Sequence, residues 1–359
     1  MTTEERVQAV ADYGYTERQA RFLVLVMRHA GLCVKRQYAA LAGVANGGEK
    51  CNAFFDKLVR RGHATAADCI HNRARLYHVH HRPLYHAIDE PDSCYRRTVS
   101  ARSASERLMR VDAALAGPNL DWLTTRAEKV AYVRAKTALE SPEPSGDTKT
   151  QQTAEVGHGF PGSFPIGIDP GGRVVVLYLA TVPWTDDFRT FLIGHLPLLR
   201  ISPVWTLRLV YPAALHRAFA AYQTVVEEEL KSPLQANTIT DLKRYFFHRR
   251  RRTDLNAIPE ALRAFLVRCA QVFAEPRFSL LYKRWLTEGE AVFVPIESAI
   301  PAALTSGRAQ VESIVLPHSY QHLSPLVNRQ RPRRRARQGR EEGGDATLHN
   351  INPPLNLVP

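Results

Sequence analysis

The chain has 359 residues, 45% of them hydrophobic, with 48 Lys and Arg against 35 Asp and Glu. That length exceeds one small domain, and that apolar content builds real cores, which excludes a wholly disordered chain. The net charge of +13 and an isoelectric point of 9.7 point toward a polyanionic partner.

The charge is not spread evenly. Residues 1–110 hold 18 basic against 11 acidic side chains, residues 111–240 hold 11 against 13, and residues 241–340 hold 19 against 8. A uniform compositional bias would not concentrate the excess at both ends. The five cysteines, Cys33, Cys51, Cys69, Cys94 and Cys269, form no CxxC pair and are odd in number. They read as reduced thiols in a cytoplasm rather than a disulfide scaffold or a zinc ribbon. The opening MTTEERVQAV has early acids and no apolar core, so it is not expected to be a secretory signal. The longest apolar run, Val174–Ala180, is far short of a membrane span of about 20 residues.

In chain order, Thr16 and Gln19 form a capping box ahead of an apolar helix over Phe22–Met27, which Gly31 stops. VKRQYAALAG reads as a short second helix ending at Gly43. A third helix follows in NGGEKCNAFFDKLVRRGHA, with Asn46 as its cap and Glu49 at the reciprocal position. Cys51, Phe54, Phe55, Leu58 and Val59 share one face of it, and Lys50, Ala53, Lys57 and Arg60 fall on the other. HATAADCI and RARLYHVHH then read as two strands joined by a turn, with Arg73 and Arg75 at or near its tip. Three helices and a hairpin are the order of a winged helix-turn-helix, in which the third helix enters the major groove and the wing touches phosphate.

The stretch RLYHVHHRPLYH holds His78, His80, His81 and His86. Alternation puts Tyr77 and Val79 inward, and His78 and His80 on the outer or helix-facing side. No Cys or carboxylate falls at a ligand spacing, so the expectation is ordinary wing residues, no metal and no cofactor. Partly protonated histidines beside phosphate would add a pH-dependent affinity.

The segment Thr16–Ile88, with YTERQARFL, DKLVRRGHA and RARLYHVHHRPLYHAI, resembles the winged-helix domains of mobile-element proteins such as the replication-relaxation family. The resemblance covers about the first quarter of the chain. It implies DNA binding and carries over no catalytic residue.

Further along, Ser103 with Glu106 and Thr125 with Glu128 read as two more capping boxes, each opening a connecting helix. SPEPSGDTKTQQTAEVGHGFPG reads as a linker. SFPIGID, the turn PGG and RVVVLYLAT form a hairpin. TDDFRTFLIGHLPLLR is a helix started by Thr185, Asp186 and Asp187. PVWTLRLVYP is a strand, and AALHRAFAAYQTVVEEELK is one long helix. The order suggests a small α/β domain with a mixed sheet. A restriction-endonuclease-like active site would need Asp169 plus an acid-x-Lys on the next strand, which reads VVVLYLAT. Asp169 is therefore read as a turn residue. No phosphate loop, nucleophile elbow or HExxH is present. Tyr245, beside arginines, is a weak match to a nucleophilic tyrosine.

Arg249, Arg250, Arg251 and Arg252 end the helix TDLKRYFFHRRRR, more cations than a helix end requires. IPEALRAFLVRCAQVF and PRFSLLYKRWL read as helices, and AVFVPI and AQVESIVLPHSY as strands. Asn328–Arg340 holds seven arginines, including Arg333, Arg334 and Arg335, without an acid. It is expected to be disordered when free and to bind nucleic acid by counterion release.

The expected protein is α+β and multidomain. A winged helix-turn-helix occupies 1–90, a helical connector 91–140 and a linker 141–162. An α/β and helical domain, in one form a degenerate restriction-endonuclease-like sheet, occupies 163–324, and an Arg-rich tail 325–359. Its expected partner is double-stranded DNA, with a protein partner or second copy as a further option and no membrane. The expected role lies in a mobile genetic element, in replication, transfer or transcriptional control. Lys50, Asn52, Lys57 and Arg60 would face the major groove, Arg73 and Arg75 would make wing contacts, and the later arginines would add affinity independent of sequence. The alternatives are a metal-dependent nuclease or nicking enzyme and an assembly factor.

Overall fold

The computed structural model describes residues 1–68, 75–98, 101–117, 119–140, 165–231, 234–251, 258–293, 299–318 and 320. It is α+β and mostly helical, with two sheets.

The chain opens with a helix that the sequence reading left out, α1 (Thr3–Ala11), held by a capping box between Thr2 and Glu5. α2 (Glu17–His29) starts on the expected Thr16–Gln19 box. Phe22, Leu23, Val26 and Met27 are fully buried, as the all-round apolar pattern demands. Gly31 follows at φ 67° with the Tyr95 carbonyl against it. A Cβ there would lie 2.2 Å from that oxygen, so only glycine fits. β1 (Leu32–Cys33), α3 (Lys35–Ala42) and α4 (Glu49–Arg60) come next.

Two details of α4 differ from expectation. Its N-cap is Gly48, with no side-chain cap bond, so Asn46 does not cap it. Val59 is 39% exposed, because at 100° per residue it sits at the edge of the stripe formed by Cys51, Phe54, Phe55 and Leu58.

β2 (Ala64–Asp68) and β3 (Arg75–Val79) pair antiparallel. β1 joins β3 on its other side, giving a three-stranded sheet in the order β1-β3-β2. A two-residue strand has too little pattern to be seen in sequence. α5 (Arg82–Ala87) and a 3₁₀ turn (Cys94–Arg96) then cross back over this unit.

α6 (Ala101–Ala116) begins before Ser103, so Ser103 lies inside the helix and is not its cap. β4 (Asp121–Leu123) comes from the stretch read as purely helical and joins the second sheet. α7 (Arg126–Glu140) starts on the expected Thr125–Glu128 box, with hydrogen bonds of 3.0 and 3.2 Å.

The hairpin β5 (Ile166–Ile168) and β6 (Val174–Leu179), α8 (Asp186–Ile201) and β7 (Trp205–Pro212) follow the expected order. The single long helix after β7 is instead three pieces: a 3₁₀ turn (Ala213–Ala218), α9 (Phe219–Val226) and a π turn (Glu227–Lys231). The wider π turn carries buried Glu229 to Arg189 and Arg277. α10 (Ala236–Arg250), α11 (Glu260–Val272) and α12 (Pro276–Glu288) form a helical insert before α13 (Ala299–Thr305) and β8 (Ala309–Leu316). Residues 289–293 of the insert are a 3₁₀ turn, where a strand was expected in AVFVPI, whose remaining residues lie outside the described ones.

The second sheet has the order β4-β5-β6-β7-β8. The first three strands are antiparallel, and β6, β7 and β8 are parallel. All six residues of β6 are buried, because both faces of the sheet are covered. On one face Val174, Val176 and Tyr178 pack with Phe188, Leu192 and Tyr222. On the other, Leu177 and Leu179 pack against Leu108, Met109 and Ala113 of α6. Leu32, Val34 and Leu76 of the first unit belong to that same cluster. α6 is thus a shared wall between the two sheets rather than a free connector. The linker 141–162 and the tail 325–359 lie outside the described residues.

Candidate nucleic-acid interface

α4 turns its apolar stripe fully inward, with Cys51, Phe55 and Leu58 at 0% exposure. Phe54 and Phe55 pack edge-on against Phe22, which fixes the rotation of the helix. That rotation leaves Lys50, Ala53, Asp56 and Arg60 exposed. Beside Lys50 and Ala53 runs a groove of about 800 Å³ whose lining also includes Thr16, Glu17, Arg18, Arg21 and Tyr38.

The four residues named for α4 do not behave alike. Lys50 and Arg60 make no ion pair among the described residues and stand in solvent. Asn52 is engaged internally. Its Oδ1 accepts from Lys35 Nζ at 2.5 Å, and its Nδ2 donates to the Gly47 carbonyl at 2.8 Å, fixing the turn before the helix. Lys57 donates to the Gly14 carbonyl at 2.5 Å and lies 5.2 Å over the Tyr15 ring. Partial burial lowers its pKa, aided by Arg61 and Arg60. Arg61, which the sequence reading passed over, donates to the Tyr13 carbonyl and also covers the Tyr15 ring. The C-terminal turn of α4 is thereby tied to the α1–α2 corner. The adjacent Arg60–Arg61 pair at the helix end was the visible signal.

On the hairpin, Arg75 is exposed and pairs with Asp68 directly across the strands at 3.2 Å. Arg73 lies outside the described residues, as do Arg252, Arg333, Arg334 and Arg335.

His78 and His80, on and just after β3, turn toward the protein. His78 Nε2 is 3.1 Å from the Tyr95 carbonyl, and the His78 and His80 rings lie 5.7 Å apart, both half-buried. Burial depresses the His78 pKa against the Tyr95 hydrogen bond, with His80 and Arg107 adding to the depression. His63 stacks on His81 at 4.5 Å, and the Tyr15 hydroxyl lies 2.6 Å from its Nδ1. Burial, then His81 and Arg61, lower its pKa to about 4. His63 is therefore neutral at pH 7, and the shift of His78 runs in the same direction, away from the protonated form expected beside phosphate. Among the described residues no group of three or more His, Cys, Asp or Glu is arranged to hold a metal ion.

The arginine run ends α10, with Arg251 as its C-cap. Its guanidiniums lie over aromatic rings. Arg249 is 4.3 Å from the Tyr282 centroid, Arg250 6.0 Å from Trp285 and Arg251 4.1 Å from Phe247. Sequence reasoning named the arginines but not Phe247, Tyr282 or Trp285. The i, i+4 spacing of Phe247 and Arg251 was legible, whereas the two α12 rings are brought in only by the fold.

Asp169 sits in the β5–β6 turn, where its Oδ1 accepts from the Arg173 amide at 2.8 Å, the turn role expected for it. Among the described residues no helix is long and apolar enough to cross a membrane. Comparison with protein-family models, curated proteins and solved structures returned no match.

Proposed function

We propose that this chain is a DNA-binding protein of a mobile genetic element, acting in its replication, transfer or transcriptional control. On this reading residues 1–90 are a winged helix-turn-helix. The observation that carries it is α4, locked by Phe54 and Phe55 on one side while Lys50, beside an open groove, and Arg60 project from the other. A helix held rigidly with exposed Lys50 and Arg60 is suited to major-groove insertion. The order of elements and the sheet β1-β3-β2 match the geometry in which such a helix is presented. Arg75 and the Arg249–Arg251 cluster supply phosphate contacts that add affinity without sequence preference.

The nuclease alternative draws no support from the sheet. Asp169 is used by its own turn, and β6 carries neither an acid nor a lysine.

The test is fluorescence anisotropy with a duplex library at about 50 and 200 mM salt, where phosphate contacts weaken steeply. Nanomolar to micromolar binding that weakens in Lys50→Ala and Arg60→Ala supports the reading. No duplex binding at the lower salt removes it.

A further inference from the structure

We propose that the helical insert between β7 and β8 is a second nucleic-acid site, selective for single strands. This rests on the reading of the chain as DNA-binding.

The insert adds no strand to the sheet, since β7 and β8 pair directly with each other along their whole length. It has its own core of Leu242, Phe246, Phe265, Leu266, Cys269 and Phe273. A unit with a core of its own, adding no strand to the sheet, leaves its outer surface available for a further task.

Its surface is built from cation–ring pairs. Besides the three at the end of α10, Arg244 lies 4.6 Å over the Phe265 ring. None of Arg244, Arg249, Arg250 and Arg251 forms an ion pair among the described residues. Their neighbours Lys243, Arg277 and Arg284 do, with Glu290, Glu229 and Glu288. Phe247 is 44% exposed. Tyr282 and Trp285 are nearly parallel, at 22° with centroids 6.0 Å apart.

A helix C-terminus favours one or two cations through its dipole, but it does not ask for aromatic rings beneath them. A guanidinium lying on a ring keeps one flat face and its N–H edge free. The flat face stacks a nucleobase and the edge holds a phosphate. In a duplex the base faces are already stacked on each other, so only a single strand offers both at once. Unpaired guanidiniums on rings therefore discriminate single strands from duplex, which a plain arginine cluster would not.

The experiment titrates the full-length protein with labelled oligo-dT, oligo-U and a hairpin duplex, reading anisotropy and tryptophan fluorescence. Phe247→Ala, at an exposed position, and Arg249→Gln with Arg250→Gln are the variants. The expected result is tight oligo-dT binding with tryptophan quenching, weakened about tenfold or more in each variant, with duplex binding unchanged in Phe247→Ala and lowered by a smaller factor in the double arginine variant, whose side chains also contact duplex phosphate. Comparable oligo-U binding extends the ligand to RNA, and its absence restricts it to DNA; both support the site. No oligo-dT binding, equal loss of duplex binding in Phe247→Ala, or displacement by poly-glutamate as effective as by oligo-dT overturns it. Failure of Lys50→Ala to affect duplex binding would instead count against the helix α4 reading.

Discussion

Glu128 accepts a hydrogen bond from Arg28 at 2.5 Å across 100 residues of chain, and Arg6 reaches the same oxygen at 3.1 Å. The other carboxylate oxygen of Glu128 accepts from the Thr124 and Thr125 amides, so the residue that caps α7 also anchors α1 and α2. Arg28 completes the set by bonding Glu90 at 3.2 Å. These groups tie α1 and α2 of the first unit to the start of α7, next to β4 of the second sheet.

Glu128→Gln is expected to cost roughly 2–4 kcal/mol, because it leaves two largely buried guanidiniums with one fewer carboxylate. Urea unfolding at pH 7 measures this. Burial pushes the Glu128 carboxyl up, but Arg28, the Thr125 amide and Arg6 outweigh it and hold the pKa below its ordinary value of 4.5. A depressed carboxylate stabilises the fold above the unfolded pKa and loses that contribution as pH falls through the folded one. Glu90 has the opposite sign: burial outweighs Arg28 and raises it, so its contribution is lost as pH rises. Glu128→Gln should therefore flatten the stability loss below pH 4.5, and an unchanged acid limb would refute the assignment.

His29 predicts a second pH effect. It is buried edge-on against Trp122 at 5.3 Å, and burial, with Arg28 and Arg110 nearby, lowers its pKa to about 3. The unfolded value is about 6.5. Unfolding takes up a proton between those limits, so stability falls as pH drops from about 6.5 toward about 3, by at most about 1.4 kcal/mol per pH unit for this residue. Among the described residues its Nδ1 has no hydrogen-bond partner, so Phe can replace the ring without orphaning one there. His29→Phe should match the wild type at pH 7 and lose less stability at pH 5, as compared by urea midpoints.

The two lysines of α4 should separate in experiment. Lys50→Ala is expected to lower duplex affinity and to leave stability within about 0.5 kcal/mol. Lys57→Ala is expected to cost about 1 kcal/mol of stability through the lost bond to Gly14. It should change the salt slope of binding less than Lys50→Ala, which should reduce it by about 1. Equal slopes for the two variants would mean that Lys57 leaves Gly14 when DNA binds.

Removal of residues 328–359 takes away seven arginines and should flatten the salt dependence of duplex binding while leaving the unfolding midpoint unchanged. An unaltered slope would end the proposed role of Arg333, Arg334 and Arg335.

Local patterns carried much of the architecture. The Thr16–Gln19 and Thr125–Glu128 boxes, the helix at VKRQYAALAG, the hairpin around PGG and the apolar stripe of α4 follow from spacing and capping chemistry, which act over a few residues. The exposed side of α4 was equally readable, since an amphipathic helix has only one face to bury. Tertiary structure decided the rest, because the partners are distant in sequence. Asn52 and Lys57 look like groove-facing side chains until the Gly47 and Gly14 carbonyls come within reach. β1 and β4 are too short to carry a period and exist because β3 and β5 offer unpaired backbone groups. His78 and His80 alternate correctly with Tyr77 and Val79, but only the packing of the Cys94–Arg96 turn and α6 covers the second side of that sheet and turns a metal-like spacing into a half-buried contact with the protein. A strand pattern tells which side chains share a face, and a long-range contact decides what that face meets.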